Sequence, residues 1–491
     1  MPRSSSIPAE GKNLNAFFTV NLRGETTTQT FDEIVHPRGF LISSDYLKGA
    51  LIKTTRQKIS SGSHVIIDNG NFDEIGKIST DLSQPAEELK KNFLRLKKKK
   101  SIHEEDFPPE LRDQITDISK SIEKEILDHF GNKKLDLSGS LAYNPSGVIG
   151  IEDITAALWL RLGLEIQYIP NGREALRKKN ETVCETAVTE IGTLKKSWNG
   201  RYLTVASALD YDSAFDAGSA FASREIEHAA IGFGAFMSDD SFQDYVIING
   251  KRIDLPSLAP MRYLRCALVV RGFWDGYNSQ KKTSLKSFHF LGLGTPVMIP
   301  ILALGAYSTK FQTYDATSPF KDAFQGILYT LEPAYFKRRA TSIAFGLASN
   351  PTAPWSCPCK FCKDFEKQYP MDYKKGYEWY KSKKPSKVEM KDLHPGGSLF
   401  DVYPFLSEPE SGSRRKMINL CRMGHNHWIY ERIFEGLRDN NSNRDSFEKH
   451  VEGIVNRYLQ NSKWDQAAHS VKLAFEIVKA ESVNDVLKSI G

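Results

Sequence analysis

Cysteine is scarce in this chain, six in 491 residues, and three of the six fall between positions 357 and 362. That scarcity excludes a disulfide-stapled scaffold, and the clustering points to a reducing compartment and a metal site. No internal repeat is present, which argues against solenoids and propellers. The opening residues, Met1-Pro2-Arg3-Ser4-Ser5-Ser6-Ile7-Pro8, hold no apolar core, so no secretory signal is expected and the cytoplasm is the expected location. Neither charge dominates: a formal net charge of +6 permits a polyanionic partner without requiring one. Nor is there a membrane-length apolar run. The nearest, residues 288–306, is interrupted by Gly292, Gly294, Pro296 and Pro300. Thr295-Pro296 reads there as an N-cap followed by proline at the first helical position, so a buried strand, a glycine turn and a helix are expected.

At 40% hydrophobic and 26% charged, the chain is long and apolar enough for one large domain with additions, or for two to three domains. Seven short apolar runs read as strands buried on both faces: 64–68, 147–151, 202–206, 229–233, 266–270, 288–293 and 311–315. Helical patterns separate many of them. Such alternation over about 250 residues implies parallel βαβ units, and an α/β (β/α)8 barrel is the commonest single domain of that size. A doubly wound open sheet fits the same pattern.

Three segments exceed a minimal barrel. Residues 84–130 are charged and helical in pattern, with Lys90, Lys91, Arg95 and the run Lys97 to Lys100, and read as an insertion. Residues 369–391 interleave Tyr373, Tyr377, Trp379 and Tyr380 with Lys374, Lys375, Lys381, Lys383, Lys384 and Lys387, offering phosphate neutralisation and stacking surfaces for a nucleic acid. Beyond about 440, Phe447, Val451, Ile454, Val455, Tyr458 and Leu459 fall at helical spacing. The expected division is therefore a barrel over 1–350, a zinc-binding subdomain closing it over 351–440, and a helical extension over 441–491.

Cys357-Pro-Cys359-Lys-Phe-Cys362, with His425-Asn-His427 downstream, supplies three thiolates and an imidazole. Such a set fills a tetrahedral zinc shell and leaves no position for a reacting water, so the metal would be structural. His425, His427 and Cys421 all qualify as the fourth ligand. Chemistry is then expected at the C-terminal ends of the barrel strands, where three aspartates stand: Asp68 ends HVIID, Asp153 follows VIGIE, and Asp315 ends FQTYD. Two carboxylates facing one sugar suit a glycosyl transfer in which one attacks the anomeric carbon and the other handles the leaving group's proton. On position alone Asp315 could equally cap a helix, Asp68 could form an Asx-turn with Asn69-Gly70, and Glu152 could take the role of Asp153.

Taken in order, these stretches resemble the tRNA-guanine transglycosylase superfamily, zinc-containing TIM barrels that exchange guanine for a 7-deazaguanine. Asp68-Asn-Gly-Asn-Phe72 resembles the family's Asp-Ser-Gly-Gly-Phe loop, and Phe290-Leu-Gly-Leu-Gly-Thr-Pro296 its Leu-Met-Gly-Val-Gly-Thr-Pro segment. Tyr314-Asp315 falls at Phe-Asp-Cys, CPCKFC matches CxCxxC, and His425 to Arg438 resembles the helix that begins with the zinc histidine. The resemblance spans roughly 30–440. It implies Asp315 as nucleophile, Asp68 as general acid/base, Asp153 on the purine edge, and zinc on Cys357, Cys359, Cys362 and His425.

Departures fall in the base pocket. Ser207-Ala208 stands where the family has Gln-Gly, and Gly232-Phe233-Gly234-Ala-Phe-Met where it has Gly-Gly-Leu-Ala-Val-Gly, so Ser207, Phe233 and Gly234 are expected to line an altered pocket. With the long spacing from Cys362 to His425, these departures resemble the DNA-acting, DpdA-like branch. The implied activity is a pentosyltransferase exchanging guanine in DNA for a base such as preQ0, with accessory DNA-modification proteins as candidate partners and no redox cofactor. A tRNA-guanine transglycosylase, or a non-catalytic zinc-bearing nucleic-acid-binding subunit, is the alternative.

Overall fold

The computed structural model describes residues 14–21, 37–70, 137–162, 171–194, 197–237, 241–280, 283–332, 334–392, 398–409 and 412–482, with single positions between them. Lys90, Lys91, Arg95 and Lys97 to Lys100, in the expected insertion, lie outside the described residues, as do Asn71 and Phe72. The described chain falls into two compact units. One runs to Asp315 and resumes at Leu437; the other spans Ala316–Gly436.

The first unit is a closed barrel of eight parallel strands. In chain order they are β1 (Asn15–Asn21), β2 (Gly39–Ser43), β3 (His64–Asp68), β4 (Gly147–Ile149), β5 (Arg201–Ala206), β6 (His228–Gly232), β9 (Ser287–Leu291) and β10 (Phe311–Asp315). An antiparallel hairpin, β7 (Phe242–Ile248) and β8 (Lys251–Pro260), intervenes between β6 and β9. The ring closes where β10 pairs with β1, Asp315 opposite Thr19. Six of the seven expected strands are present. β1, β2 and the hairpin were not among the apolar runs; the hairpin is marked instead by Asn249-Gly250, both at positive φ, whose amides donate to the Asp212 carboxylate.

The seventh run, 266–270, is helical and corrects the strand expectation. It lies inside a helix over Met261–Ser279 whose residues are buried nearly all round. Length decides such cases, because a short apolar run looks alike in a buried strand and a buried helix. Helices are labelled α1 (Ala50–Ser60), α2 (Thr155–Leu162), α3 (Gly172–Leu194), α4 (Tyr211–Ser223), α5 (Met261–Ser279) and α6 (Met298–Gly305). The strand, glycine turn and helix expected over 288–306 are present, but α6 starts at Met298 rather than at Pro296. Thr295 contributes its carbonyl to the Met298 amide at 3.0 Å and is not the N-cap.

Helices α4 and α5 cross at contact distance because glycines stand at the crossing. A Cβ on Gly218 would lie 2.0 Å from the Phe273 carbonyl oxygen, one on Gly272 2.2 Å from that of Tyr211, and one on Gly276 2.0 Å from that of Phe215. Helix propensity alone favours alanine over glycine by about 0.5–1 kcal/mol. Overpacking against rigid backbone costs roughly 1–3 kcal/mol or more and outweighs it. Gly276→Ala is therefore expected to lower the urea midpoint, while Gly192→Ala in α3, where a Cβ meets nothing within 4 Å, is expected to raise it. Equal shifts of the same sign would contradict this account of the crossing.

Inside the barrel, Leu41, Ile66, Ile149, Leu203, Val205 and Ala230 form a buried layer with Leu291 against it. Side chains alternate faces along a strand, so Ser43, Asp68 and Gly232, two residues further on, face the same interior at the C-terminal end. At the opposite end the rings of Phe17, His64 and Phe311 pack edge to face or tilted, with the Arg201 guanidinium 3.8 Å from the Phe311 ring centre. That end is filled largely by aromatic packing.

The second unit contains α7 (Ala340–Ser349), α8 (Lys360–Gln368), α9 (Tyr373–Lys383) and most of α10 (Ser413–Asp439), with a small antiparallel pair, β11 (Ile327–Tyr329) and β12 (Lys337–Arg339). Its core gathers Leu328, Leu347, Phe365, Met390, Phe400, Tyr403 and Phe405. Tyr373, Trp379 and Tyr380 are partly buried against this core. Tyr377 is exposed, as are Lys374, Lys375, Lys381 and Lys383 of the same helix.

The tail forms α11 (Arg444–Asn461) and α12 (Asp465–Lys479), at the expected helical spacing. Both belong to the first unit. Phe447 packs on Tyr307 at 5.2 Å, Ser470 donates to the Pro260 carbonyl at 2.7 Å, and Arg271 donates to the carbonyls of Ala480 and Glu481. Among the described residues, no helix is long and apolar enough to cross a membrane.

Candidate active site and metal centre

Asp315 is the last residue of β10 and is 5% exposed. It is not a helix cap: Thr317 holds that place for the short helix that follows. Its Oδ1 accepts the Gly292 amide at 2.9 Å and lies 3.3 Å from Nε2 of His289. Gly292 can present its amide this way because its φ of +71° suits glycine, and a Cβ there would lie 3.1 Å from the backbone of Gly234. One carboxylate oxygen is thus held from beneath by the end of β9. His289 was not among the expected site residues, although a histidine between Phe288 and Phe290 in a strand is a polar residue facing a barrel interior.

Asp68 ends β3, partly buried and level with Ser43 of β2. Its neighbour Asn69 sends its side-chain amide across to the Gly150 carbonyl at 2.9 Å, tying the end of β3 to the end of β4. Two more carboxyls follow β4. Asp153 has both oxygens engaged, Oδ1 accepting the Thr155 amide at 3.0 Å and Oδ2 lying 3.4 Å from the Lys179 ammonium. Glu152 is partly exposed, and its acidity is shifted: burial, then the negative charges of Asp68 and Asp153, push its carboxyl up to about 8, against a smaller opposing hydrogen bond with Asn69.

A carboxyl raised above its unfolded value binds more protons in the folded state than in the unfolded state. It therefore stabilises at low pH, and that contribution is lost as pH rises from about 4.5 through about 8. Relative to Glu152→Gln, the wild type is expected to lose on the order of 2 kcal/mol between pH 5 and pH 8. Parallel stability profiles for the two proteins, from urea melts across that range, would show that Glu152 titrates normally.

Of the three residues expected to line a base pocket, Ser207 and Gly234 stand at the strand ends. The Ser207 backbone is held by the Asn180 side chain, which donates to its carbonyl at 2.8 Å and accepts its amide at 3.0 Å. Its buried hydroxyl has no hydrogen-bond partner among the described residues. Phe233 corrects the expectation: its ring is wholly buried, stacked on Phe290 at 5.6 Å and packed on Phe236 at 6.0 Å, so it belongs to the core. Gly232 beside it leaves open space, since a Cβ there would meet nothing within 4 Å.

In the second unit, Cys357, Cys359, Cys362 and His425 bring one ligand atom each to within 4.8 Å of one another. Nδ1 of His425 lies 3.3, 3.5 and 3.5 Å from the three sulfurs in that order. The loop sequence folds this way because Cys359 caps α8, its sulfur accepting the Cys362 amide. On the other ring nitrogen, Nε2 of His425 donates to the Tyr329 carbonyl at 2.7 Å, which leaves Nδ1 unprotonated for a metal. Asn426 anchors the same strand, accepting the Tyr329 amide and donating to the carbonyls of Pro319 and Ile327. These residues fit a closed tetrahedral ion such as zinc. The other two candidate ligands stand outside the group: burial pushes His427 down to about 3 and the Cys421 thiol up to about 12.

No family model matches the sequence, and no curated protein matches it.

Proposed function

We propose that the barrel is a base-exchange transglycosylase of the tRNA-guanine transglycosylase type that acts on DNA, replacing guanine with a 7-deazaguanine such as preQ0. The observation that carries this reading is the placement of two carboxylates, Asp68 and Asp315, on inward-facing positions at the C-terminal ends of barrel strands, with one oxygen of Asp315 held by the Gly292 amide. Oδ2 of Asp315 attacks C1′ of a deoxyguanosine, the C1′–N9 bond breaks, and Asp68 delivers a proton to the departing guanine. Asp68 then takes a proton from the incoming base, whose nitrogen displaces the Asp315 carboxylate from C1′. Two inversions give net retention. Asp153, whose oxygens each keep an acceptor site beside the Thr155 amide and the Lys179 ammonium, holds the base edge, with Glu152 as the neighbouring carboxyl, and the Ser207 hydroxyl and the open space at Gly232 suit the same pocket.

The Cys357, Cys359, Cys362 and His425 group would hold zinc as a structural clip and takes no part in these steps. A target base must leave the stack to reach a barrel mouth, so single-stranded or locally opened DNA is the expected substrate. Radiolabelled guanine or preQ0 incubated with the protein and either DNA or tRNA tests the reading. Label entering DNA supports it. Label entering tRNA moves the protein to the RNA-acting enzymes, and label entering neither, with no covalent adduct, leaves a zinc-bearing binding subunit.

A further inference from the structure

We infer that His289 is a positioning residue for the Asp315 carboxylate, its Nε2 facing Oδ1 and its tautomer set by that carboxylate, with the Thr313 hydroxyl as the partner of Nδ1. The inference rests on the base-exchange reading for its kinetic consequence, and on geometry alone for the tautomer. His289 is 0% exposed within the barrel, level with Thr313 of β10 and Ala230 of β6. Its Nδ1 lies 2.7 Å from the Thr313 hydroxyl oxygen, and its Nε2 lies 3.3 Å from Asp315 Oδ1, without the alignment of a finished hydrogen bond and with no other partner.

Which nitrogen carries the proton follows from what each one faces. A carboxylate oxygen only accepts, so a bare Nε2 at that distance would set two lone pairs against each other inside a sealed interior. Protonated Nε2 removes that repulsion. Nδ1 is then the acceptor, and the Thr313 hydroxyl must donate to it. The Gly292 amide donates to Oδ1, the His289 N–H stands 3.3 Å from the same oxygen without completing a hydrogen bond, and Oδ2 is left for attack on C1′. Once Oδ2 is bonded to the sugar, Oδ1 is the ester carbonyl, and the same donors receive the charge that returns when the second base displaces the carboxylate. His64 is the other titratable ring close enough to act on His289, and burial pushes it down to about 3, so it brings no competing positive charge.

Two measurements separate this role from simple packing. With ¹⁵N-labelled histidine, the signal lost in His289→Gln is expected to report a protonated Nε2, and Asp315→Asn is expected to move it. A bare Nε2, or a signal indifferent to Asp315→Asn, overturns the inference whatever the activity. In single-turnover adduct formation, His289→Leu, which fills the space without a donor, is expected to be slower by about 10- to 100-fold with little change in KM for the base. His289→Gln, which keeps an N–H in reach, is expected to recover most of that loss, and Thr313→Val to fall between. His289→Leu matching the wild type, or His289→Gln as slow as His289→Leu, overturns the positioning role. A wild type that forms no adduct removes the base-exchange reading and the kinetic role with it, and the histidine signal then decides the tautomer.

Discussion

Asp315→Asn is expected to yield a folded barrel that forms no covalent adduct and transfers no base, a loss of at least about 10⁴-fold in kcat. The amide keeps an oxygen that can accept the Gly292 N–H, so the local hydrogen bond that positions the side chain survives the substitution. On the base-exchange proposal, what disappears is the anionic oxygen that would bond to C1′. Asp68→Asn is expected to cost less, about 10²- to 10⁴-fold, because it removes proton transfer and leaves the nucleophile in place. Intact-mass detection of a trapped glycosyl-enzyme separates the two: the adduct is absent in Asp315→Asn, and forms slowly in Asp68→Asn. Transfer by Asp315→Asn at wild-type rate would end the proposal that Asp315 is the nucleophile.

Loss of the metal site is the second large effect. Structural zinc binding contributes roughly 10–16 kcal/mol of folding free energy in small zinc modules. Here three of the four ligand residues are themselves buried, Cys359 at 1%, Cys362 at 3% and His425 at 1%, so unpaired thiols and a bare imidazole would be left in the core of the second unit. Cys359→Ser or His425→Ala is expected to abolish zinc retention by elemental analysis and to melt the second unit well below the wild type. The first unit has its own core and is expected to keep a separate transition. His427→Ala and Cys421→Ser stand outside the ligand group and are expected to retain one zinc per chain. Full zinc content in His425→Ala would move the fourth ligand elsewhere.

Several features were legible before any coordinates because each rests on a local rule. Three cysteines within six residues announce a group that could hold a metal through the ligand types themselves. The runs HVIID and FQTYD announce buried strands ending in an acid, since β-branched and aromatic residues without polar alternation mark strands covered on both faces. The glycine turn at Gly292 and the amphipathic tail helices followed from φ preference and from period.

What the tertiary structure alone decided concerns relations across the chain. The run 266–270 is a helix because glycines at 218, 272 and 276 let it press against α4, a contact that no window of sequence contains. Phe233 turned inward because the Phe290 and Phe236 rings accept it, and burial of an aromatic outweighs its value on a surface. Residue types alone left His425 and His427 equal and the resemblance pointed to His425; the fold gives the physical reason, the Tyr329 carbonyl, almost a hundred residues away, orienting the His425 ring. Asp153 and Glu152 are adjacent in sequence and alike in chemistry, and only the folded chain set the Lys179 ammonium beside Asp153 and pushed the Glu152 carboxyl up to about 8 through partial burial and the charges of Asp68 and Asp153. Residue type, spacing and local periodicity determine which groups can do chemistry. Partners, burial and electrostatic neighbours come from residues far apart in the chain, and these long-range relations decided which of the eligible groups are placed to do it.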